Sequence, residues 1–78
     1  MPTVLRVDGY RFFFFSNERQ EPPRIHVERG DGYAKFWLDP ARLAEANDLT
    51  RTELRRAREL VDTHGRHFLE QWHGYFRT

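Results

Sequence analysis

The sequence has no cysteine, no long apolar run and almost no net charge, and each of these scarcities excludes a class of protein. Without cysteine, the 78 residues cannot form a disulfide framework or a thiolate metal site. Thirteen basic residues nearly balance twelve acidic ones, so the net charge of +1 does not by itself indicate a polyanion-binding protein. No apolar run approaches the roughly 20 residues that span a bilayer, and the start of the chain has no apolar signal core. We therefore expect a single cytoplasmic domain with no membrane partner.

The first half of the chain has the pattern of antiparallel strands joined by tight turns. Asp-Gly at 8–9 and Gly-Asp-Gly at 30–32 are hairpin signals, since these residues tolerate a positive φ. Four strands are predicted, at residues 3–7, 10–16, 24–29 and 33–39. The consecutive phenylalanines at 12–15 place large apolar groups on both faces, which is typical of a central strand. Residues 1–39 thus predict a four-stranded, mainly antiparallel sheet built from two hairpins.

Residues 40–49 are predicted to connect the sheet to the last third of the chain, and two conformations fit their pattern. A proline at position 40, followed by Ala41, Leu43, Ala44 and Ala46, favours a short helix. The same residues also fit an edge strand. Of the two, we expect the helix.

The last third has the pattern of an amphipathic helix over residues 50–77. Thr50 is an N-cap, and Glu53 three residues later completes a capping box. Residues at spacings of three and four form one stripe, namely Leu54, Ala57, Val61, His64, Phe68, Trp72 and Tyr75. A straight helix to residue 76 measures about 39 Å, whereas a chain of 78 residues has a radius of gyration of about 11–12 Å. The helix is therefore expected to bend at Gly65 or to project past the sheet.

The predicted fold is α+β, a single domain over residues 1–78 in which the C-terminal helix packs on one face of the four-stranded sheet. A projecting apolar helix end needs a partner, and aromatic residues are enriched in interface hot spots. The candidate interface residues are Trp37, Phe68, Trp72, Tyr75 and Phe76. Packing in the core is the alternative for the same residues. We expect a partner protein or a homodimer.

The third predicted strand has one polar face, formed by Arg24, His26 and Glu28, because alternate residues of a strand share a face. A histidine can serve as general acid or base, an arginine can hold a phosphate, and a carboxylate can orient the histidine. A metal-independent ribonuclease needs little more, and Arg6 and Arg11 on neighbouring strands are candidate phosphate-binding residues. A solvated face with cross-strand charge pairs is the alternative.

No metal or other cofactor is expected. The histidines at 64, 67 and 73 lack the i, i+4 spacing of a helical metal pair, and no HExxH motif is present. His64 is in the apolar stripe, where a half-buried histidine is the simpler interpretation. On the third strand, Arg24 places a fixed cation beside His26, which disfavours a metal there.

The predicted helix carries a basic cluster near its start, which consists of Arg51, Arg55, Arg56 and Arg58. Such a cluster can contact phosphate. Acidic residues are interleaved with it, and the pairs Arg55–Glu59 and Arg58–Asp62 have the i, i+4 spacing of helical salt bridges. The sequence therefore favours a solvated, salt-bridged helix face.

Four segments carry a resemblance to a known family, namely MPTVLRVDGYRFFFFS at 1–16, PPRIHV at 22–27, AKFWLDP at 34–40 and WHGYF at 72–76. Over nearly its whole length the chain resembles the small bacterial family called domain of unknown function 4160. The resemblance implies no settled activity. It does imply a bacterial protein encoded beside another small protein, in pairs suspected of being toxin–antitoxin modules. The usual strand of the family reads Pro-Pro-His-Val-His-Val, so Arg24 stands at its first histidine position.

Two functions of different classes follow as expectations. The first is a component of a toxin–antitoxin-like pair that acts on RNA as a metal-independent ribonuclease, with Arg24, His26 and Glu28 as its catalytic set. The second is a non-catalytic interaction module or antitoxin, which binds its partner through the aromatic helix end and a sheet edge.

Overall fold

The computed structural model describes residues 3–15 and 22–76, which form one five-stranded antiparallel sheet and one long helix. The elements in chain order are β1 (Thr3–Val7), β2 (Tyr10–Phe13), β3 (Arg24–Arg29), β4 (Gly32–Leu38), β5 (Ala41–Asn47) and α1 (Arg51–Phe76). The strands lie side by side in the order of the chain. The predicted α+β class, with an antiparallel sheet and a C-terminal helix, is confirmed. The predicted count of four strands is wrong, because the connector supplies a fifth.

The fifth strand takes the place of the short helix expected within residues 40–49. β5 pairs antiparallel with the outer edge of β4, where Phe36 lies opposite Leu43 and Lys35 lies opposite Glu45. This pairing satisfies backbone N–H and C=O groups of both strands. It outweighs the helix propensity of the alanines, which is a weak influence by itself. Ala44 is the additional residue of a bulge between the two pairs.

The β1–β2 turn lies at the predicted position. Asp8 and Gly9 both have positive φ angles, of 53° and 81°, as a two-residue hairpin turn of this sequence requires. β2 was predicted to continue to residue 16. The structure ends it at Phe13, and residue 16 lies outside the described residues.

The core lies between α1 and the face of the sheet that α1 covers. The strands contribute Tyr10, Phe12, Ile25, Val27, Ala34, Phe36 and Leu38 to it, and Phe14 joins them from just after β2. The helix contributes Ala57, Leu60, Val61, Phe68, Trp72 and Phe76. At the β1 edge, Val4, Leu5 and Val7 are partly buried against this cluster, so the core extends to that edge of the sheet.

The aromatic end of α1 packs on the sheet and does not project uncovered. The helix runs without interruption through Gly65, and the radius of gyration is 11.5 Å. The ring of Phe68 stacks at 5.1 Å on Phe12, and Trp72 meets Phe14 edge-on at 5.3 Å. Phe68, Trp72 and Phe76, predicted for an interface, have side chains buried within the chain, which fits the alternative of packing in the core. The helix was predicted to reach residue 77, which lies outside the described residues.

The start of α1 has the predicted capping box. The Thr50 hydroxyl accepts a hydrogen bond from the Glu53 backbone N–H at 3.0 Å, and the Thr50 N–H donates to the Glu53 carboxylate at 2.9 Å. The second bond, from the backbone of Thr50, is the main reason that the pKa of Glu53 is lowered. The cap thus fixes where the helix begins.

Cross-links from the sheet hold the first half of α1 in place. Arg56 pairs with Asp8 of the β1–β2 turn at 2.6 Å, and Arg29 of β3 pairs with Glu53 at 3.3 Å. The Tyr10 hydroxyl donates to the backbone carbonyl of Glu53 at 3.0 Å, and burial raises the pKa of Tyr10. These contacts fix the first half of α1 relative to the β1–β2 turn, β2 and β3.

Candidate functional site

The side of the sheet opposite α1, called the far face here, carries the residues predicted for catalysis. Ile25 and Val27 of β3 point into the core, so Arg24, His26 and Glu28 point to the far face. The strand register places Arg11 opposite Glu28 and Arg6 opposite Arg11. All five residues predicted for catalysis or phosphate binding thus share this face.

His26 is buried at the centre of an aromatic cluster. The residue is 3% exposed, and its ring lies 4.5 Å from the ring of Phe15 and stacks at 5.5 Å on Phe13. Its Nδ1 is hydrogen-bonded to the hydroxyl of Tyr33 at 2.8 Å, with the donor set by the histidine tautomer. Glu28 was predicted to orient His26, but Tyr33 holds this nitrogen instead.

Glu28 is bound to Arg11. The Arg11 Nη1 donates to the Glu28 carboxylate at 2.6 Å, its Nε donates to Thr3 at 3.0 Å, and its guanidinium lies over the Phe13 ring at 4.4 Å. This geometry arises from the β2–β3 register, which puts the two charges directly opposite each other. Arg11, predicted to bind phosphate, is therefore held in a cross-strand pair, whereas Arg6 beside it is exposed.

Arg24 is 8% exposed, and its guanidinium lies 5.0 Å from the centroid of the Trp37 ring. The ammonium of Lys35 lies over the same ring at 5.3 Å. Trp37, predicted for an interface, is half-buried between these two cations. Cation–π contacts of this kind fix the orientation of the groups involved.

The far face is therefore a packed surface of charge pairs and ring contacts. A general acid or base must come within about 2.6–3.2 Å of the atom whose proton it transfers. The His26 ring is covered by Phe15 and neighbouring side chains, so a phosphodiester reaches it only if these residues move. The Arg11–Glu28 pair fits the alternative of a solvated face with cross-strand charge pairs. The burial of His26 does not fit that alternative.

A second polar region surrounds the cross-links between the sheet and α1. A depression of about 420 Å³ is lined by charged residues of both signs together with Tyr10. Its charges largely pair within the chain, since Arg56 binds Asp8 and Glu59, and Arg29 binds Glu53. Hydrogen bonding and charge from Asp8 raise the pKa of Arg56. Because its charges pair in this way, we interpret the region as a structural connection between α1 and the sheet.

An apolar groove lies on the other side of α1, between the helix and β5. It encloses about 270 Å³, and we call it the β5 groove; it is lined by Phe36, Leu43, Leu54, Arg51, Arg55 and Arg58. Every residue of β5 is exposed, and Leu43 retains 36% of its accessible surface. Sequence reasoning missed this groove. The local pattern gave no clear signal for it, because the alternation of Ala41, Arg42 and Leu43 is interrupted by the bulge at Ala44.

The arginines of the β5 groove do not form the salt bridges predicted for them. The expected pairs Arg55–Glu59 and Arg58–Asp62 are wrong, because Glu59 binds Arg56 at 3.4 Å instead. Across residues 3–15 and 22–76, no carboxylate lies within 4.0 Å of the guanidinium of Arg51, Arg55 or Arg58. The groove is thus bordered on its helix side by three cations that the described chain does not neutralise.

The remaining candidates are less informative. Tyr75, predicted for an interface, is 47% exposed and touches Phe76 edge-on. Within the described part of the chain, no group of three or more histidine, aspartate or glutamate side chains is arranged to hold a metal ion. None of the helices in that part combines the length and apolarity needed to cross a bilayer.

Comparison with known proteins places this chain within one family. A family model described as "Domain of unknown function (DUF4160)" matches residues 9–73, which include β2 to β5 and most of α1. No curated protein and no solved structure matches the chain.

Proposed function

The chain belongs to the family called domain of unknown function 4160, and we propose that it is a non-catalytic module that binds a partner protein on its β5 side. The resemblance described above supports a bacterial setting in which chain and partner form a toxin–antitoxin-like pair. In that setting the chain is the component that associates with the other protein and acts through it.

The exposure of β5 carries this proposal. An edge strand of seven residues, exposed at every position, presents unpaired backbone groups and side chains to solvent. Natural proteins usually shorten, cover or charge such an edge. Beside it the β5 groove is apolar, with Leu43 and Leu54 in contact with solvent above the Phe36 ring. An edge strand with an adjacent apolar groove is the form of surface that takes up a segment of another protein.

The far face supports catalysis less well than β5 supports binding. A catalytic histidine has to meet its substrate, and His26 is covered by aromatic rings. The carboxylate assigned to orient it, Glu28, is bound to Arg11. Buried polar residues arranged in this way are typical of a structural network that sets strand packing.

The test compares Leu43→Asp with Thr63→Asp. Leu43 lines the β5 groove, whereas Thr63 is an exposed residue of α1 that does not line it. Affinity-tagged wild type and both variants are expressed in cells that encode this chain, and bound proteins are compared by quantitative mass spectrometry. We expect a protein that is retained by wild type and Thr63→Asp and lost from Leu43→Asp. Its complex is then reconstituted from purified components and its stoichiometry measured by light scattering.

Two outcomes contradict the proposal. One is that no protein distinguishes Leu43→Asp from Thr63→Asp while both variants keep wild-type circular dichroism and melting temperature. The other is that the binding partner is lost only when far-face residues such as Lys35 are changed. If sedimentation instead gives a homodimer that Leu43→Asp dissociates, the β5 side is an interface between copies of this chain, and the proposal of a different partner protein fails.

A second candidate function is the metal-independent ribonuclease toxin. The observation in its favour is that Arg11, Arg24 and His26 share one face of the sheet. Its test is tightly controlled bacterial expression of wild type beside His26→Ala, with growth and total RNA integrity measured together. Growth arrest with RNA loss in wild type alone supports a catalytic His26. Equal growth and intact RNA in both strains contradict the ribonuclease function and are consistent with the interaction module.

A further inference from the structure

One helix is too narrow to cover a five-stranded sheet. Neighbouring strands lie about 4.8 Å apart, so five strands span about 19 Å from the first axis to the last, whereas a helix is about 10–12 Å across with its side chains. At the β1 edge, Val4, Leu5 and Val7 are partly buried against the core. At the other edge all of β5 is exposed. The uncovered part of the sheet therefore lies on the β5 side of α1.

The side of β5 that faces the α1 layer is apolar. Ala41, Leu43 and Ala46 lie opposite the buried Leu38, Phe36 and Ala34 of β4, so they share the face that α1 covers elsewhere. The other face of β5 carries Arg42, Glu45 and Asn47, which lie opposite Trp37, Lys35 and Tyr33. This alternation is typical of a strand with one buried face, yet here nothing in the described chain buries it. The two alanines leave room for the close approach of another backbone.

The side of α1 next to the uncovered face of β5 carries positive charge. Arg51, Arg55 and Arg58 are spaced i, i+4, i+7, which places them on one stripe of α1. They line the β5 groove together with Leu54, and they form no ion pair within residues 3–15 and 22–76. A segment seated in the groove would thus meet apolar side chains below it and a row of guanidinium groups along one side.

We propose that the β5 groove holds an acidic amphipathic α-helix of the partner protein, seated beside α1 as a second helix of the same layer. Its apolar stripe packs on Ala41, Leu43, Ala46 and Leu54, and glutamate or aspartate residues along its inner flank pair with the arginines of α1. Packed helices lie about 8–10 Å apart, which brings side chains of that length together. This inference rests on the proposed function and specifies the chemistry of its partner.

The charge of the groove disfavours a second copy of this chain as the occupant. In a two-fold symmetric dimer the same patch meets itself, so the stripe of Arg51, Arg55 and Arg58 would approach an identical stripe. A strand added to the free edge of β5 would pair with its backbone but would lie beyond the groove. It would leave Leu43 and the three arginines as uncovered as they are now.

The test uses a designed peptide of 18 residues as the probe. Leucines at i, i+3, i+4 and i+7 form its apolar stripe, and glutamates occupy the flanks; a matched peptide carries lysine in place of every glutamate. Binding is followed by ¹³C-methyl NMR of the full chain, with the methyl groups of Leu43 and Leu54 as reporters and peptide circular dichroism as the readout for helix formation. We expect the acidic peptide alone to shift both reporters, to gain helicity and to bind more weakly as salt is raised.

Charge reversal provides the matched control. Arg55→Glu is expected to weaken binding of the acidic peptide at least tenfold and to strengthen binding of the lysine peptide. Arg66→Glu, the same change at an exposed site further along the helix that pairs with Glu70, is expected to leave both affinities within twofold of wild type. Both variants are first shown to have wild-type circular dichroism.

Three results overturn the inference, and they differ from those that overturn the proposed function. Binding that Arg55→Glu and Arg66→Glu weaken equally reflects general charge attraction. Binding of a proline-containing extended peptide in preference to the helical one indicates strand addition to β5. That result contradicts the proposed partner helix but not the proposed function. Unchanged Leu43 and Leu54 methyl signals with the acidic peptide exclude this occupant of the groove.

Discussion

Replacement of Trp72 by alanine tests how α1 is held to the sheet. The Trp72 side chain is 1% exposed and its ring centroid lies 5.3 Å from that of Phe14 and 4.3 Å from that of Phe76. Removal of a buried aromatic side chain costs about 3–5 kcal/mol of unfolding free energy, through lost burial and the cavity left behind. Globular proteins have about 0.05–0.15 kcal/mol of stability per residue, so a chain of 78 residues has about 4–12 kcal/mol in total. Trp72→Ala is therefore expected to remove a quarter or more of the stability.

The measurement is urea and thermal unfolding followed by far-ultraviolet circular dichroism. For a domain of this size each kcal/mol corresponds to about 4–8 °C in melting temperature, so Trp72→Ala is expected to lower it by roughly 12–40 °C. Trp72→Phe keeps a ring in the core and is expected to lose less. Tyr75→Ala is the control, because Tyr75 is 47% exposed and its removal is expected to cost less than about 1 kcal/mol.

One result refutes this reasoning. If Trp72→Ala unfolds at the wild-type urea concentration and loses only its association with another protein, then Trp72 is an interface residue and not a core residue. The packing of the second half of α1 on β2 would then be wrong as described.

Further predictions concern the two residues of the cap, two glycines and the buried histidine. Thr50→Ala is expected to cost about 0.5–2 kcal/mol of stability. Because the pKa of Glu53 is lowered from 4.5, its stabilisation is present above that pH and lost as the pH falls through the lowered value; unfolding curves of wild type and Glu53→Gln should therefore converge in acid. Gly65→Ala is expected to add about 0.5–1 kcal/mol, because a Cβ there meets nothing within 4 Å. Gly32→Ala is expected to cost about 1–3 kcal/mol, because its Cβ would lie 2.6 Å from a backbone oxygen; equal shifts for the two glycines in urea unfolding would contradict both. His26→Ala should cost about 1–3 kcal/mol, since it removes a buried ring that packs on Phe13 and Phe15 and is hydrogen-bonded to Tyr33, and a wild-type urea midpoint would show that its ring is not part of the packing.

The predictions of secondary structure that the structure confirms came from strong local signals. The Asp8–Gly9 turn, the alternation along β3 and β4, and the capping box at Thr50 each depend on residues close together in the chain. β5 lacked such a signal. The bulge at Ala44 separates its apolar positions 43 and 46 by three residues, which is a helical spacing, and only the open edge of β4 decides between the two conformations.

The residues that share the far face were predictable from the sequence, but their contacts were not. Alternation along β3 is enough to place Arg24, His26 and Glu28 on one face. Which groups they meet depends on strands that are distant in sequence. The β2–β3 register places Glu28 opposite Arg11, and the β3–β4 pairing places Tyr33 within hydrogen-bonding distance of His26. Register of this kind is set by the whole sheet, so neither contact could be read from the local pattern.

The packing of the end of α1 also depends on residues that are distant in sequence. A calculation from helix length alone predicted an uncovered apolar end. It could not include Phe14, which follows the last residue of β2 and provides the surface on which Trp72 and Phe76 pack.

The division of the chain into sheet first and helix last has a consequence for biosynthesis. All five strands lie within residues 3–47, and the element that covers their apolar face is made only afterwards. At about 5–20 residues per second, synthesis of the 26 residues of α1 takes about 1–5 s. A sheet that lacks α1 has Phe12, Ile25 and Phe36 without their cover, and such a patch associates readily with other apolar surfaces. A chain truncated before Arg51 should therefore bind chaperones, whereas the chain that includes α1 should not.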